Sequence, residues 1–389
     1  MKRRLDGAWN WEIDDSLMYL PAEHYPTMGR KRDFKPNGKT MYYWKKTDFF
    51  TYPAFLISPF DILFCGSRSF YKGPVRDGFN LRDKFKIPKE MHIVGDSGAF
   101  GARAKNVKPV SRLLMDWYRD NCDVGFIFDW IPYLDENKAI RGKLDNFDKN
   151  LERTVETTEE MLRHYDESFE FWSIVHGTTT EELEKWRRRL DDLFSWGGYA
   201  VAPKPSDSID ALIETLRYVQ DHIHTPIHIL GVSGTVAIGV IAWWQHNIFK
   251  QRVTFDSSSY TGMRKDLQNP LKFGSKFRFM RDDASKLACR PADVPCWCPV
   301  CLGLRETRSV NFLWENTTAE SAAYIALHNI FYYVWYTESC KALATEKDID
   351  KYISYLPARG RSRKFIRKAL VALTDDETPE QSTTLEDEW

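Results

Sequence analysis

The chain has 389 residues, 43% of them apolar and 28% charged, which is enough to bury one large core or two smaller ones and suits a globular protein. It holds no run of 18 apolar residues, and the basic opening MKRRLDGAWNWEID carries no apolar segment behind it. Neither a membrane span nor a secretory leader is expected, and the predicted compartment is the cytoplasm.

The formal net charge of zero hides an asymmetry. The tail from Asp375 to Trp389 holds seven acids and no base, which leaves 55 bases against 48 acids, a net +7, in the rest of the chain. Just before that tail, ARGRSRKFIRKAL supplies Arg359, Arg361, Arg363, Lys364, Arg367 and Lys368 with no acid among them. A basic helix of this kind can track phosphates, and it can equally be a solvated face balanced by the acids that follow. Seven cysteines, three of them within six residues, point to a metal site in a reducing compartment rather than to a disulfide framework.

Residues 1–50 are rich in aromatics and charges without a clean period, and are read as an irregular N-terminal elaboration. The segment 49–64 is strongly apolar but broken by Pro53 and Pro59, which predicts one or two short strands. From Met91 a regular alternation begins. Strands are predicted at 91–95, 124–128, 169–175, 199–202, 227–230 and 253–255, and helices near 110–121, 144–165, from 180, 208–220 and 236–246. Six strands, five of them followed by a helix, imply parallel strands with crossover helices. With the strands of 49–64 the count nears eight, so a (β/α)8 TIM barrel is predicted over residues 51–285. A zinc-binding subdomain with C-terminal helices is expected over 286–370, and a disordered acidic tail over 371–389. No GxGxxG follows the first strand, which argues against a dinucleotide fold.

Four strands end in a residue able to do acid, base or hydrogen-bonding work: Asp96, Asp129, His176 and Asp256. The carboxyl ends of barrel strands share one mouth, so these four are predicted to meet there. Asp256, where VTFD runs into a Ser-rich loop, is the candidate nucleophile, although an Asp in this position can also cap a turn. Two carboxylates flanking a glycosidic bond can divide the work between nucleophilic attack and proton transfer. Phe100, in DSGAFG, can stack on a flat heterocycle or simply follow a tight turn. Trp243 and Trp244 are read as packing. Cys296, Cys298 and Cys301 can converge on one Zn²⁺, with His328 or Cys289 as the fourth ligand of a structural site.

Taken together, DSGAF at 96–100, FD at 128–129, VHG at 175–177, GGYAV at 197–201, HILGVSG at 228–234, FDSSSY at 255–260, PCWCPVC at 295–301 and HN at 328–329 resemble, in order and spacing, the queuine and archaeosine tRNA-guanine transglycosylases. That family is a zinc-containing (β/α)8 barrel exchanging guanine for a 7-deazaguanine. The resemblance implies Asp256 as the nucleophile of a covalent glycosyl-enzyme and Asp96 as the proton-transferring acid/base. It implies Asp129 and His176 on the edge of the heterocycle, Phe100 stacked on it, and Ser97, Gly198, Leu230 and Gly231 lining the pocket. It assigns zinc to Cys296, Cys298, Cys301 and His328. His176 stands where the tRNA enzymes usually carry Gln, Ala99 replaces a Gly, and the HILGVSG loop is one residue longer than usual.

The wording of the motifs is closer to the archaeal branch, yet the chain ends soon after the zinc helix. It therefore resembles most the DpdA-type enzymes, which insert bases such as preQ0 into DNA. DNA is the predicted polymer, with partner proteins of a modification system expected. The alternatives are tRNA as the polymer and a non-catalytic nucleic-acid-binding subunit of the same fold. A barrel hydrolase with catalytic zinc would need its ligands at strand ends, whereas the cysteines follow the last strand.

Overall fold

A computed structural model describes residues 16–23, 50–59, 80–104, 110–132, 146–202, 209–257, 298–307 and 319–374, apart from 233 and 359, and short strand pairs at 2–3, 9–10, 267–268 and 278–279. Eight parallel strands close into a barrel in chain order: β1 (Leu17–Glu23), β2 (Ala54–Ile57), β3 (His92–Gly95), β4 (Val124–Phe126), β5 (Glu170–His176), β6 (Tyr199–Ala202), β7 (Ile227–Ile229) and β8 (Val253–Ser257). β8 returns to β1, with Asp256 opposite Leu20 and Ser257 opposite Pro21. Nearly every strand residue is buried, as expected for parallel strands covered on both faces.

Helices connect most of the strands. α1 (Leu81–Phe85) precedes β3, and α2 (Ala99–Ala104) and α3 (Ser111–Asn121) follow it. Then come α4 (Phe147–Leu162), α5 (Thr180–Asp191), α6 (Ile209–His222) and α7 (Thr235–Trp244), the last running into a π-turn at Gln245–Phe249. α5 starts with a capping box, in which the Thr179 hydroxyl accepts from the Glu182 amide and the Glu182 carboxylate accepts from the Thr179 amide. Trp243 and Trp244 are core residues of α7, as expected.

The first strand is a correction. Residues 1–50 were expected to be irregular and the barrel to start at 51, but Leu17–Glu23 is a full barrel stave between β8 and β2. Its sequence, LMYLPAE, hides it: there is no alternation, because both faces are buried, and Pro21 argues against a strand. Pro21 is tolerated at the far end, beside Ser257. Among the described residues of the segment 49–64, Ala54–Ile57 joins the barrel, and Phe50–Thr51 pairs instead with Trp9–Asn10 in a small separate sheet.

Beyond the barrel lie α8 (Pro299–Thr307), α9 (Ala319–Leu343), α10 (Ile349–Tyr355) and α11 (Gly360–Thr374). α9 lies against β1 and α7: Tyr333 stacks on Tyr19 with ring centroids 4.9 Å apart, and the Tyr336 hydroxyl donates to the Thr235 carbonyl at 3.1 Å. No described helix is long and apolar enough to cross a membrane.

The basic segment forms α11, which reaches Thr374, past the expected boundary at 370, and turns Ile366, Ala369, Leu370 and Leu373 onto the barrel. Three of its bases are held by the protein itself. Arg363 donates to the carbonyls of Ser354, Leu356 and Ala358, Arg367 pairs with Asp350 at 2.9 Å, and Lys368 pairs with Asp210 at 3.1 Å. Asp350 and Asp210 thus offset this charge; the acidic tail from 375 lies outside the described residues.

Candidate active site and metal centre

Every barrel strand runs the same way, so their C-terminal ends bring one set of side chains to one mouth. Asp96 follows β3 directly, Asp129 lies three residues past β4, His176 ends β5, and Asp256 is the penultimate residue of β8. The four residues predicted at strand ends therefore share one rim.

Asp129 is almost fully buried, and each of its oxygens has a partner. The Ser97 hydroxyl donates to Oδ1 at 2.9 Å, and His176 Nε2 lies 2.7 Å from Oδ2. A carboxylate can only accept, so with Asp129 ionised the His176 proton sits on Nε2. The ring of His176 is steadied by Trp186, edge-on at 5.0 Å.

Asp256 is held differently. The Gly231 amide donates to its Oδ1 at 2.7 Å, and His228 Nε2 lies 3.2 Å from the same oxygen. Among the described residues no donor sits on Oδ2.

Asp96 accepts from the Gly98 amide at 3.3 Å and from the Ser58 hydroxyl. These bonds are outweighed. Burial first, then the Asp129 and Asp256 carboxylates, push its carboxyl up from 3.8 to about 7. Asp96 is thus poised to carry a proton near neutral pH, as the acid of a carboxylate pair must be.

Both amides that turn back onto these carboxylates belong to glycines in the left-handed region, Gly98 at φ +73° and Gly231 at φ +71°. A side chain at either position would strain the turn that aims the N–H. Tyr118, from α3, bridges the β3 and β4 ends: its hydroxyl donates to the Phe126 carbonyl at 2.9 Å and lies 3.1 Å from the Asp96 carbonyl, the alternative acceptor for its single hydrogen.

The remaining predicted pocket residues divide. Ser97, Leu230 and Gly231 sit at the rim, Ser97 linking Asp129 to the first turn of α2 through the Ala99 amide. Phe100, in that same turn, is 57% exposed, which leaves its ring open to contact. Gly198 is a correction. It precedes β6, whose other end, Ala202, pairs with His176; four residues at about 3.3 Å each put it roughly 13 Å below the mouth. It is glycine because a Cβ there would come within 2.7 Å of Trp172 and of the Pro226 carbonyl. Residues 203–208, which follow β6, lie outside the described residues.

Sequence reasoning missed His228, Thr254 and Ser58. A signal was present for two of them: a polar residue between apolar neighbours in IHI and VTFD, on the alternate positions that face the barrel interior.

The second cluster is the Cys/His group. Cys298, at the start of α8, Cys301 within it and His328 on α9 are all buried, and their ligand atoms lie within 4.8 Å of one another. His328 Nδ1 is 3.1 Å from the Cys298 sulfur and 3.4 Å from that of Cys301. Ligands of a tetrahedral zinc, at about 2.3 Å for sulfur and 2.0–2.1 Å for nitrogen, stand ~3.5 Å apart, so the group has the spacing of a metal site. Cys296 and Cys289 lie outside the described residues.

A closed (β/α)8 barrel with ionisable groups around its C-terminal mouth is a scaffold that enzymes commonly use. No protein-family model matches the chain, and no curated protein matches it.

Proposed function

We propose that the chain is a guanine transglycosylase of the DpdA type, exchanging guanine in DNA for a 7-deazaguanine such as preQ0 through a glycosyl-aspartate intermediate. The observation that carries this reading is the unequal treatment of the carboxylates at one mouth: Asp96 is pushed up to about 7, while Asp256 is held by two donors on one oxygen and, among the described residues, by none on the other. The first can give a proton and the second can attack.

In the first half-reaction a carboxylate oxygen of Asp256 bonds to the anomeric carbon as the carbon–nitrogen bond to guanine breaks. The bonding pair stays with the base, which takes the proton of Asp96. In the second half the incoming base gives a proton to Asp96 and bonds to the anomeric carbon, and the ester bond to Asp256 breaks with its electron pair returning to the carboxylate. Two inversions retain configuration. Asp129, fixed by Ser97 and His176, keeps a lone pair on each oxygen for the amino and ring N–H edge of the heterocycle, and Phe100 offers a stacking face. In duplex DNA the target must be flipped out at a cost of a few kcal/mol.

Zinc suits Cys298, Cys301 and His328, with Cys296 as the fourth ligand, and when bound it contributes folding energy. Its described ligands belong to the α8 and α9 segments rather than to the barrel strands.

The test is incubation of the purified protein with radiolabelled guanine and, in parallel, duplex DNA, single-stranded DNA and unmodified tRNA. Label entering DNA is the expected result. Label entering tRNA alone transfers the chemistry to the other polymer. Entry into none, with metal bound and the fold intact, rejects base exchange.

A further inference from the structure

Barrel interiors are layers of branched apolar side chains, so a fully buried imidazole among them needs a reason. His228 is such a residue, at 0% exposure in the middle of β7. Both ring nitrogens are engaged on the neighbouring strand: Nδ1 lies 2.8 Å from the Thr254 hydroxyl oxygen and Nε2 lies 3.2 Å from Asp256 Oδ1. Thr254 and Asp256 are two residues apart and share one face of β8, which spaces them to meet the two sides of one imidazole. The ring of Phe126, from β4, packs on it at 5.2 Å. The imidazole is thus held on three sides.

Donor and acceptor chemistry then sets the tautomer. An ionised Asp256 can only accept, so the ring proton belongs on Nε2. Nδ1 accepts from Thr254, whose hydroxyl hydrogen has the Ile227 carbonyl, at 3.4 Å, as its longer and weaker alternative. The second donor to Asp256, the Gly231 amide, converges on the same oxygen.

We propose that His228 is the positioning residue of the nucleophile: with the Gly231 amide it fixes Oδ1 of Asp256 and leaves Oδ2 as the oxygen that bonds to the anomeric carbon. The proposal rests on the exchange reading above. When Oδ2 bonds to the anomeric carbon, Oδ1 becomes the carbonyl oxygen of an ester and the donors weaken. When that bond breaks, the negative charge returns and the donors strengthen. His228 therefore favours release of the glycosyl group to the incoming base, and its loss slows the second half more than the first.

His228→Leu and His228→Gln in the full-length protein test this, Gln placing an N–H donor near the position of Nε2. Expected for Leu is a fall in kcat of about 100-fold, of the order seen when one preorganised donor is removed, with KM for the polymer falling alongside it because the second half-reaction is the one slowed. A larger fraction of that enzyme should also be bonded covalently to the polymer at steady state. Gln should restore most of the rate. If the Leu variant keeps kcat within about twofold, or Gln is as poor as Leu while both melt like wild type, the proposal is overturned.

Histidine ¹⁵N NMR on the wild type and on Asp256→Ala needs no turnover. A neutral Nε2–H signal that changes when Asp256 is removed supports the pairing, and an Nδ1–H signal refutes it. Should the Leu variant fail to fold, Thr254→Val, which frees Nδ1, is expected to lower kcat in the same direction; no change overturns the proposal. A wild type that exchanges no base in any polymer rejects the exchange reading, while the NMR result still decides whether His228 holds Asp256.

Discussion

The mouth of the barrel and the helical layer beside it both bury polar side chains, but they satisfy them in opposite ways. In the layer the buried groups are neutral or face backbone. Tyr352 donates to the Gly239 carbonyl at 2.7 Å, Arg363 caps the end of α10 through three carbonyls, and burial pushes the Cys340 thiol up to about 12. At the mouth, carboxylates and imidazoles face one another, and burial leaves Asp96 ready to hold a proton. Burial against carbonyls fixes position, whereas burial against other ionisable groups creates chemistry. Substitutions at the mouth should therefore change rate at nearly constant stability, and those in the layer and helical shell should do the reverse.

The largest separation is expected for Asp256→Ala, which should lose at least roughly 10⁴-fold in base exchange, with a melting temperature close to wild type. Substantial turnover in this variant would remove Asp256 from the nucleophile role.

Asp96→Asn should lose about 10²- to 10⁴-fold in rate, and it makes a second, opposite prediction for stability. The folded value of about 7 lies above the ordinary 3.8, so between these limits the folded protein holds a proton that the unfolded chain has lost. Stability from this group falls as pH rises through that window and levels off above it. The Asn variant should thus be more stable than wild type at pH 8, by ~1–2 kcal/mol after allowing for solvent at the mouth, and no more stable at pH 4. Thermal melts at both pH values check this. In the wild type, exchange limited by protonation of the leaving base should decline above about pH 7.

Cys298→Ser should act from the other side, lowering bound metal and melting temperature together and reducing activity only as far as folding is lost. Metal analysis beside a thermal melt decides it, and unchanged metal content would place the ion elsewhere.

The smallest effect is expected in the polar network between α5 and α6. There, against burial that pulls it up, hydrogen bonds from Tyr218, Arg188 and Arg187 hold the Glu184 carboxyl at about 2. Tyr218→Phe should cost ~1 kcal/mol in denaturant unfolding and leave the exchange rate unchanged.

The alternation of strands and helices from Met91 made the barrel legible, because five of the six strands there are followed by a helical pattern. β1 was not legible: a stave buried on both faces has no period of two, and Pro21 speaks against it. Asp96, Asp129, His176 and Asp256 could be found because strand ends are where barrel chemistry collects. His228 and Thr254 needed the structure, since only strand register shows that the alternate positions of β7 and β8 meet. Gly198 was misplaced because a glycine pair can serve a pocket or, as here, the approach of an indole. The raised carboxyl of Asp96 could not be read from sequence, as it depends on how closely three strands far apart in the chain bring their ends together.

The most direct test of the division of labour at the mouth is to acid-quench the wild-type protein during exchange with DNA and map the covalent adduct by mass spectrometry of its peptides. The expected result is a pentose on the peptide containing Asp256 and on no other, absent from Asp256→Ala. An adduct on Asp96 or Asp129, or robust exchange with no adduct at all, would contradict it.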